Sequence, residues 1–420
     1  MPDIISCGID FGTSNSTAAV SMPQGKMLVP LEGGKTTLPS AIFFVNKSTP
    51  VFGREAISSY LQHEDGRLLR GLKKILGTSL MEDKTSINGK WMPFTEVLKT
   101  FIDHLKTQAD TFSDKEIKHV VMGRPVYFHD GDENADKLSQ DTLETIAKAS
   151  GFKHVEFLYE PIAAAFSHES NVEEEKLSLV IDLGGGTSDF TVIRISRNRM
   201  NKPDRKNDIL ATTGVRIGGT TFDYRLSLKN FMPQLGLGSL YRDTFDKNKL
   251  LPAPAGAYHR LSDWAMVNFA QTKKALDETV AIRRKSVEAE KMEKLYKLQK
   301  EQLGHALLEQ VEKSKIALSK FTEHEAVFKA IDCLFSVTRY DFETAIHEDV
   351  ERIFLSVKEC LSQAGVTQED IELIILTGGS TELPVINGMV QSMFPKAALS
   401  QGNKLDSVGL GLAYRAGAIF

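Results

Sequence analysis

Two acidic, glycine-bearing turns hold the residues best suited to do chemistry in this 420-residue chain. Asp10-Phe11-Gly12-Thr13-Ser14-Asn15-Ser16 lies within IISCGIDFGTSNSTAAV, and Asp182-Leu183-Gly184-Gly185-Gly186-Thr187-Ser188-Asp189 within LSLVIDLGGGTSDFTVIRI. Each reads as strand, tight polar turn, strand. A third apolar run, IELIILTGGST, ends at Gly378-Gly379-Ser380. Glycine lets backbone approach a ligand closely, and successive N–H groups in such a turn form a concave anion site. Thr and Ser hydroxyls add donors. An Asp beside a polyphosphate is repelled unless a cation lies between them, so Asp10 and Asp182 imply Mg²⁺, a hard ion that prefers oxygen and keeps several waters. Either turn alone reads equally well as a Gly-rich β-turn with a solubilising Asp. The matched pair with the third turn points instead to two related halves sharing one phosphate-bearing ligand.

The elements that must position these turns alternate between strand and helix. LPSAIFFV reads as a buried strand, and the stretch from Gly53 to Gly77 as mostly helical. Phe94, Val97, Leu98, Phe101, Ile102 and Leu105 recur at helical spacing and predict an amphipathic helix. IKHVVMGRPVYF is a strand running into a loop; LSQDTLETIAKASGF is helical, with Gly151 as its C-cap. VEFLYE is a strand, and Pro161 suits the first turn of the helix that follows. The loop SRNRMNKPDRKND reads as a solvated hairpin connection rather than a binding patch. From Trp264 to Phe321 one helix would reach roughly 85 Å, so two or more are expected, broken near Gly304 or within AIRRKS. Met292, Leu295, Tyr296, Leu303, Leu307 and Val311 mark its packed face, as in a solvated helical hairpin. YDFETAIHEDVERIFLSVKECLSQAG is a long helix, and ALSQGNKLDSVGLGLAYRAGAIF a turn and closing helix. The pattern is α/β.

With 41% hydrophobic residues, a chain of this length can bury sizeable cores and reads as two lobes. A net charge of −4 gives no electrostatic reason to expect nucleic acid or an anionic membrane. No apolar run is long enough to span a bilayer, and MPDIISCGID shows no secretory signal. Cys7, Cys333 and Cys360 lack metal-like spacing and read as reduced thiols of a cytoplasmic protein. No GxxxxGK[ST] occurs and no GxGxxG follows a strand, so nucleotide binding must rest on the paired hairpins.

In order along the chain, these segments resemble the nucleotide-binding domain of DnaK-type heat-shock chaperones, within the actin-like ATPase superfamily. GIDFGTSNS looks like the first phosphate loop, LLRGLKKILG the segment with the catalytic lysine, and GRPVYF the segment with the switch proline, Pro125. YEPIAAA resembles the glutamate-proline helix start, DLGGGTSDF the second phosphate loop, and GVRIGGTTFD the next glycine turn. EKSKIALS resembles the adenosine-contacting helix and LTGGSTELP the adenosine loop. The resemblance implies two lobes, each with a duplicated ribonuclease-H-like core. Lobe I would span 1–174 (core 1–37 and 110–174, insertion 38–109) with the closing helix 405–420 packed back on it. Lobe II would span 175–404 (core 175–216 and 350–404, helical insertion 217–349).

Carried over, Asp10 and Asp182 would hold hydrated Mg²⁺, and Gly12, Thr13, Ser14, Gly184, Gly185, Gly186 and Thr187 would bind phosphates. Lys73, with Lys74 as its rival, would face the γ-phosphate, and Glu160 and Asp189 would orient or deprotonate water. Without the resemblance, Glu160 reads better as a helix N-terminal carboxylate, and Pro125 reads nearly as well as a loop proline. Adenosine would meet Gly218, Gly219, Glu312, Lys315, Ser319, Gly378, Gly379, Ser380 and Asp406. Glu312, Lys315 and Ser319 lie near i, i+3 and i+7 on one helical face.

The resemblance further implies ATP or ADP with Mg²⁺ (and K⁺), slow ATP hydrolysis, a protein partner or client, a nucleotide-exchange factor and a monomer. Two departures stand out: Ile316 replaces a base-stacking arginine and Glu382 another arginine. Such contacts are worth roughly 0.5–2 kcal/mol each, so adenine recognition would weaken by about tenfold or more. Ending at Phe420, the chain looks like the C-terminally truncated YegD-type bacterial members. A sugar-kinase-type phosphotransferase is the alternative, and a non-hydrolysing nucleotide sensor or actin-like filament protein the third reading.

Overall fold

Alternating apolar residues on both sides of the first acidic turn build β1 (Ser6–Phe11) and β2 (Asn15–Met22), antiparallel and in register from Ser6 opposite Ser21 to Phe11 opposite Ser16. The computed structural model describes residues 4–46, 48–62, 64–200, 202, 204–243, 245–246, 248–400 and 406–420. They fall into two units, one comprising Met1–Gly219, Glu351–Glu382 and Ile386–Phe420, the other Thr220–Val350 and Leu383–Val385.

In the first unit β3 (Gly25–Leu28) and β4 (Thr37–Pro39) both pair with β2. A small sheet follows, β5 (Ala41–Val45) between β6 (Val51–Phe52) and β7 (Gly66–Arg70), with α1 (Gly53–Leu61) packed on it. This corrects the helical expectation for 53–77 in part, since α1 and a 3-10 turn at Leu72–Ile75 are helical but 66–70 is strand. Leu68 and Leu69 lie on a strand because Leu69 pairs with Ile42 and Arg70 with Ala41, partners that local periodicity does not reveal. A hairpin, β8 (Lys84–Ile87) and β9 (Lys90–Pro93), leads into α2 (Phe94–Ser113). The predicted apolar stripe of α2 is buried, each large side chain contributing about 1.5–3 kcal/mol. Then come β10 (His119–Arg124), α3 (Glu133–Ala149), β11 (His154–Tyr159) and α4 (Glu160–His168). β10 runs parallel to β1 and β11 parallel to β10, giving the order β11-β10-β1-β2-β3.

β12 (Lys176–Leu183), β13 (Ser188–Ile195) and β14 (Ile209–Val215) start the second sheet as antiparallel neighbours. The loop between β13 and β14, of which residues 201 and 203 lie outside the described set, is not simply solvated. Arg205 is 5% exposed, its guanidinium shared by Glu169 and Asp208 and stacked over the Phe166 ring at 4.6 Å.

The second unit opens within α5 (Gly219–Leu226), followed by the hairpin β15 (Leu240–Arg242) and β16 (Leu250–Pro252) and by α6 (Gly256–Leu261). The helical stretch divides at both predicted places, into α7 (Lys273–Arg283), α8 (Ala289–Lys300) and α9 (Gly304–Leu318). Of the expected packed face, Met292, Leu295, Leu303, Leu307 and Val311 are buried. The hairpin β17 (Glu323–Phe328) and β18 (Cys333–Thr338) precedes α10 (Arg339–Ala364), along which the chain re-enters the first unit.

There β19 (Leu373–Thr377) pairs parallel with β12, and after α11 (Pro384–Met393) comes β20 (Ala398–Leu399), giving the order β14-β13-β12-β19-β20. Residues 401–405, where the sequence puts the last turn, lie outside the described set; α12 (Ser407–Ile419) closes the chain. α4 and α12 share one core with residues of both sheets: Ala163, Ala164 and Ala165 with Val121, Val180, Ile375, Leu412 and Ala416. Their small residues are required by the crossing. A Cβ on Gly411 would stand 1.7 Å from the Ala163 carbonyl oxygen.

Among the described residues no helix is long and apolar enough to cross a membrane. All three cysteines are buried and unpaired, and burial pushes each thiol pKa up. A reactive thiolate is disfavoured at all three.

Candidate active site

Parallel register brings three segment ends to one edge of the first sheet. Ile9 pairs with Met122 and Gly123 with Leu158, so Asp10, Gly123 and Glu160 lie side by side where β1, β10 and β11 finish. A side chain on Gly123 would meet Glu160 Cγ at 3.2 Å and Asp10 Oδ1 at 3.6 Å, so glycine there leaves room for both carboxylates. Glu160 opens α4 with Pro161 next, at the helix end that favours negative charge.

Against Glu160 stands Lys73, with Nζ 2.5 Å from Oε1 and the two residues 7% and 8% exposed. Lys73 sits in a short 3-10 turn, Leu72–Ile75, entered through Gly71 at φ +69°, a left-handed conformation that glycine adopts without strain. Of the two neighbouring lysines, Lys73 forms this buried ion pair with Glu160.

The second sheet repeats the device. Asp182 lies opposite Asp189 on β13 and beside Thr377 on β19, which places Gly378 next to it. Gly378 is left-handed at φ +82°, and a Cβ there would strike the Leu183 carbonyl oxygen at 2.2 Å. The two acidic turns touch: a Cβ on Gly185 would lie 2.2 Å from Ser14 Oγ, and one on Gly186 2.5 Å from Thr13 Oγ1. Gly218 packs on the Gly184–Gly186 backbone, the Gly219 N–H donates to the Gly184 carbonyl at 3.0 Å, and Ser380 Oγ lies 3.4 Å from that oxygen. The first turn is braced from behind by Ser40, whose hydroxyl donates to the Gly12 carbonyl at 2.6 Å.

Asp189 ties the two sheets together, because its Oδ1 accepts the Val126 N–H at 2.7 Å. Val126 directly follows Pro125, so the proline leads into the second turn's carboxylate.

Electrostatically the site is overloaded with negative charge. Burial and Glu160 push the Asp10 carboxyl up to about 7, with Lys73 pulling the other way. Burial and Glu160 likewise raise Asp189 to about 7, tempered by bonds from Thr187 and Val126. Asp182 lies well above the usual carboxylate range through burial and repulsion by Glu160, Asp189 and Asp10. Burial disfavours the Lys73 ammonium, yet Glu160, Asp10 and Asp189 raise its pKa on balance. One ammonium cannot offset four carboxylates, and Asp10 Oδ1 is buried with no hydrogen-bond partner. The donor set therefore suits a divalent cation. Among the described residues no three His, Cys, Asp or Glu side chains are arranged to grip a metal directly.

The family model described as "Hsp70 protein" matches residues 6–250 and 274–419. The chain belongs to the Hsp70 family. Its two-sheet architecture is the actin-like ATPase fold of that family, and family membership makes it an ATP-binding, chaperone-family protein. Residues 251–273, which carry α6 and Trp264, fall between the two matched segments of the Hsp70 model.

The remaining predicted contacts are distributed over both units. Asp406 precedes α12 in the first unit, where its carboxylate accepts from Thr36 Oγ1 at 2.8 Å. Gly379 and Ser380 begin a 3-10 turn after β19. In the second unit α9 carries Glu312 and Lys315, with Ser319 as its C-cap residue. Lys315 Nζ reaches the buried Asp223 at 2.7 Å, and Trp264 Nε1 donates to the same carboxylate at 3.2 Å. Ile316 is 56% exposed. Sequence reasoning missed Asp223, and also Arg216, His129 and Asp130, described below. Their partners lie tens of residues away and carry no local motif.

Proposed function

We propose that this chain binds Mg-ATP on the paired glycine turns and hydrolyses it slowly, and that the change between ATP- and ADP-bound states is passed to a protein partner in the cytoplasm. What supports the reading above all is the convergence of Lys73, Glu160, Asp10, Asp182 and Asp189 beside two touching Gly-Thr turns.

Backbone N–H groups around Gly12 and Gly184–Gly186, with the Thr13, Ser14 and Thr187 hydroxyls, would hold the β- and γ-phosphates. Asp10 and Asp182 would hold Mg²⁺, which supplies charge neutralisation to the bound triphosphate. Lys73 would contact the γ-phosphate. Glu160 and Asp189 would orient the attacking water and accept its proton. Phosphoryl transfer needs mainly positioning and charge stabilisation, which this set provides. The adenosine contacts carried over from the family, at Gly218 and Gly219, Gly378–Ser380 and Asp406 in the first unit and Glu312, Lys315 and Ser319 in the second, belong to the same proposal. So do K⁺, an exchange factor and a monomeric state.

Calorimetric titration with Mg-ATP and turnover assays on D10A, K73A and E160A test this. Binding near the wild-type level with turnover lost is expected for K73A and E160A. Unchanged turnover in all three would remove the site assignment.

A further inference from the structure

Arg216 lies two residues before the Gly218–Gly219 turn, yet its guanidinium reaches the segment that carries Lys73. Nη2 donates to the Lys74 carbonyl at 2.7 Å, and Nη1 meets His129 Nδ1 at 3.0 Å. The Arg216 backbone N–H donates to Asp130 Oδ2 at 2.8 Å. His129 continues the chain of contacts, since its Nε2 lies 2.6 Å from the Leu76 carbonyl.

The tautomer follows from the partners. A carbonyl accepts only, so Nε2 carries the proton; Nδ1 is then the lone pair that accepts from Arg216. The C-terminal side of the Lys73 turn, at Lys74 and Leu76, is thereby held from one guanidinium and one imidazole. A Cβ on Gly77 would come within 2.7 Å of His129 Nε2, so glycine there keeps the ring's place open.

We infer that Arg216 is a positioning residue for Lys73: it straps the lysine's turn to the strand end that leads into Gly218–Gly219, so that an adenosine bound at those glycines fixes where the ammonium points. This deepens the proposed function and rests on it for the role of Lys73, though the strap itself does not. Arginine suits the task because its planar fork serves two acceptors at once, which a lysine ammonium at the same position cannot reproduce.

The test compares R216Q and R216K with the unaltered 420-residue chain. Amide hydrogen exchange is followed without nucleotide, and kcat and KM for Mg-ATP are measured in parallel. The strap predicts that R216Q speeds exchange across residues 72–77 by about tenfold or more while α2 exchanges as before. It also predicts that kcat falls about tenfold or more with KM moving by less than about threefold. H129Q, which keeps an acceptor and a donor, should retain kcat within about threefold, whereas H129L should not. Unchanged exchange over 72–77 in R216Q overturns the strap whatever the turnover. Faster exchange there with full turnover overturns its role in positioning Lys73. If K73A hydrolyses ATP like the wild type, the proposed function fails, and the exchange result still judges the strap. Should R216Q exchange faster everywhere, R216K, which preserves the charge, is judged by the same criteria.

Discussion

Lys73 and Glu160, 87 positions apart in the chain, are joined by a 2.5 Å bond with both side chains almost sealed from solvent. Breaking such a buried pair from one side strands a charge, at a cost of about 3–5 kcal/mol. K73A should therefore lose stability as well as turnover, and the double variant K73M/E160Q should recover much of the stability while staying inactive. Denaturant melts beside turnover assays separate the two effects. A double variant no more stable than K73A would show that the pair is not isolated in the way its burial implies.

The raised carboxylates set a pH dependence. Burial and Glu160 hold the Asp10 and Asp189 carboxyls up at about 7 in the folded chain, against an ordinary value of 3.8. Between those values the folded form holds more protons than the unfolded form, so the ion-free protein loses stability as pH rises from about 4 to about 7. The Lys73 shift acts only at alkaline pH, because its raised pKa contributes stability that is lost above the ordinary lysine range. Calorimetry in chelator should show the melting temperature falling between about pH 4 and pH 7, with a shallower slope in D189N. Mg²⁺ with nucleotide should stabilise more at the upper pH, where protons no longer compete.

Contact between the two acidic turns makes their glycines intolerant of size. G185A drives a methyl into Ser14 and should cost about 1–3 kcal/mol. S14G, which removes the obstructing hydroxyl and Cβ, should relieve part of that in the double variant. A simple sum of the two single effects would contradict the contact.

The buried Arg205 cluster offers a test remote from the site. R205M leaves the buried Glu169 without its cation, while Asp208 keeps Arg199, and should cost about 3–5 kcal/mol. Turnover below the melting transition should be unchanged. An R205M protein of wild-type stability would return the loop to the solvated reading.

At Ile316, I316R introduces a cation and adds a cation–π term of about 0.5–2 kcal/mol if adenine stacks there. ATP affinity should rise by up to about tenfold, with GTP less affected. Equal gains for both nucleotides, or none, would remove Ile316 from the adenine contacts.

Much of this was legible before any coordinates. The strand-turn-strand units showed because their signals are local: apolar runs of strand length, then Gly, Thr and Asp at fixed offsets. α2 showed through its periodicity. β7 did not, because LLRGLKKIL has its leucines at spacings a helix also uses, and only pairing with Ile42 and Ala41 decides for strand. Arg205 was misread for a related reason: a charged run looks solvated until Glu169, 36 residues upstream, appears beside it. Lys73 was separated from Lys74 by its partner, and Arg216 was invisible because nothing adjacent hints at His129.

The tight seating of Gly411 on Ala163 has a mechanical meaning. With no side chain between them to deform, the final helix and the helix that begins at Glu160 cannot slide independently, and α12 also rests on β1, whose last strand residues include Asp10. Tension applied to the tail of the polypeptide would thus arrive at two of the acidic groups around the phosphate-facing turns.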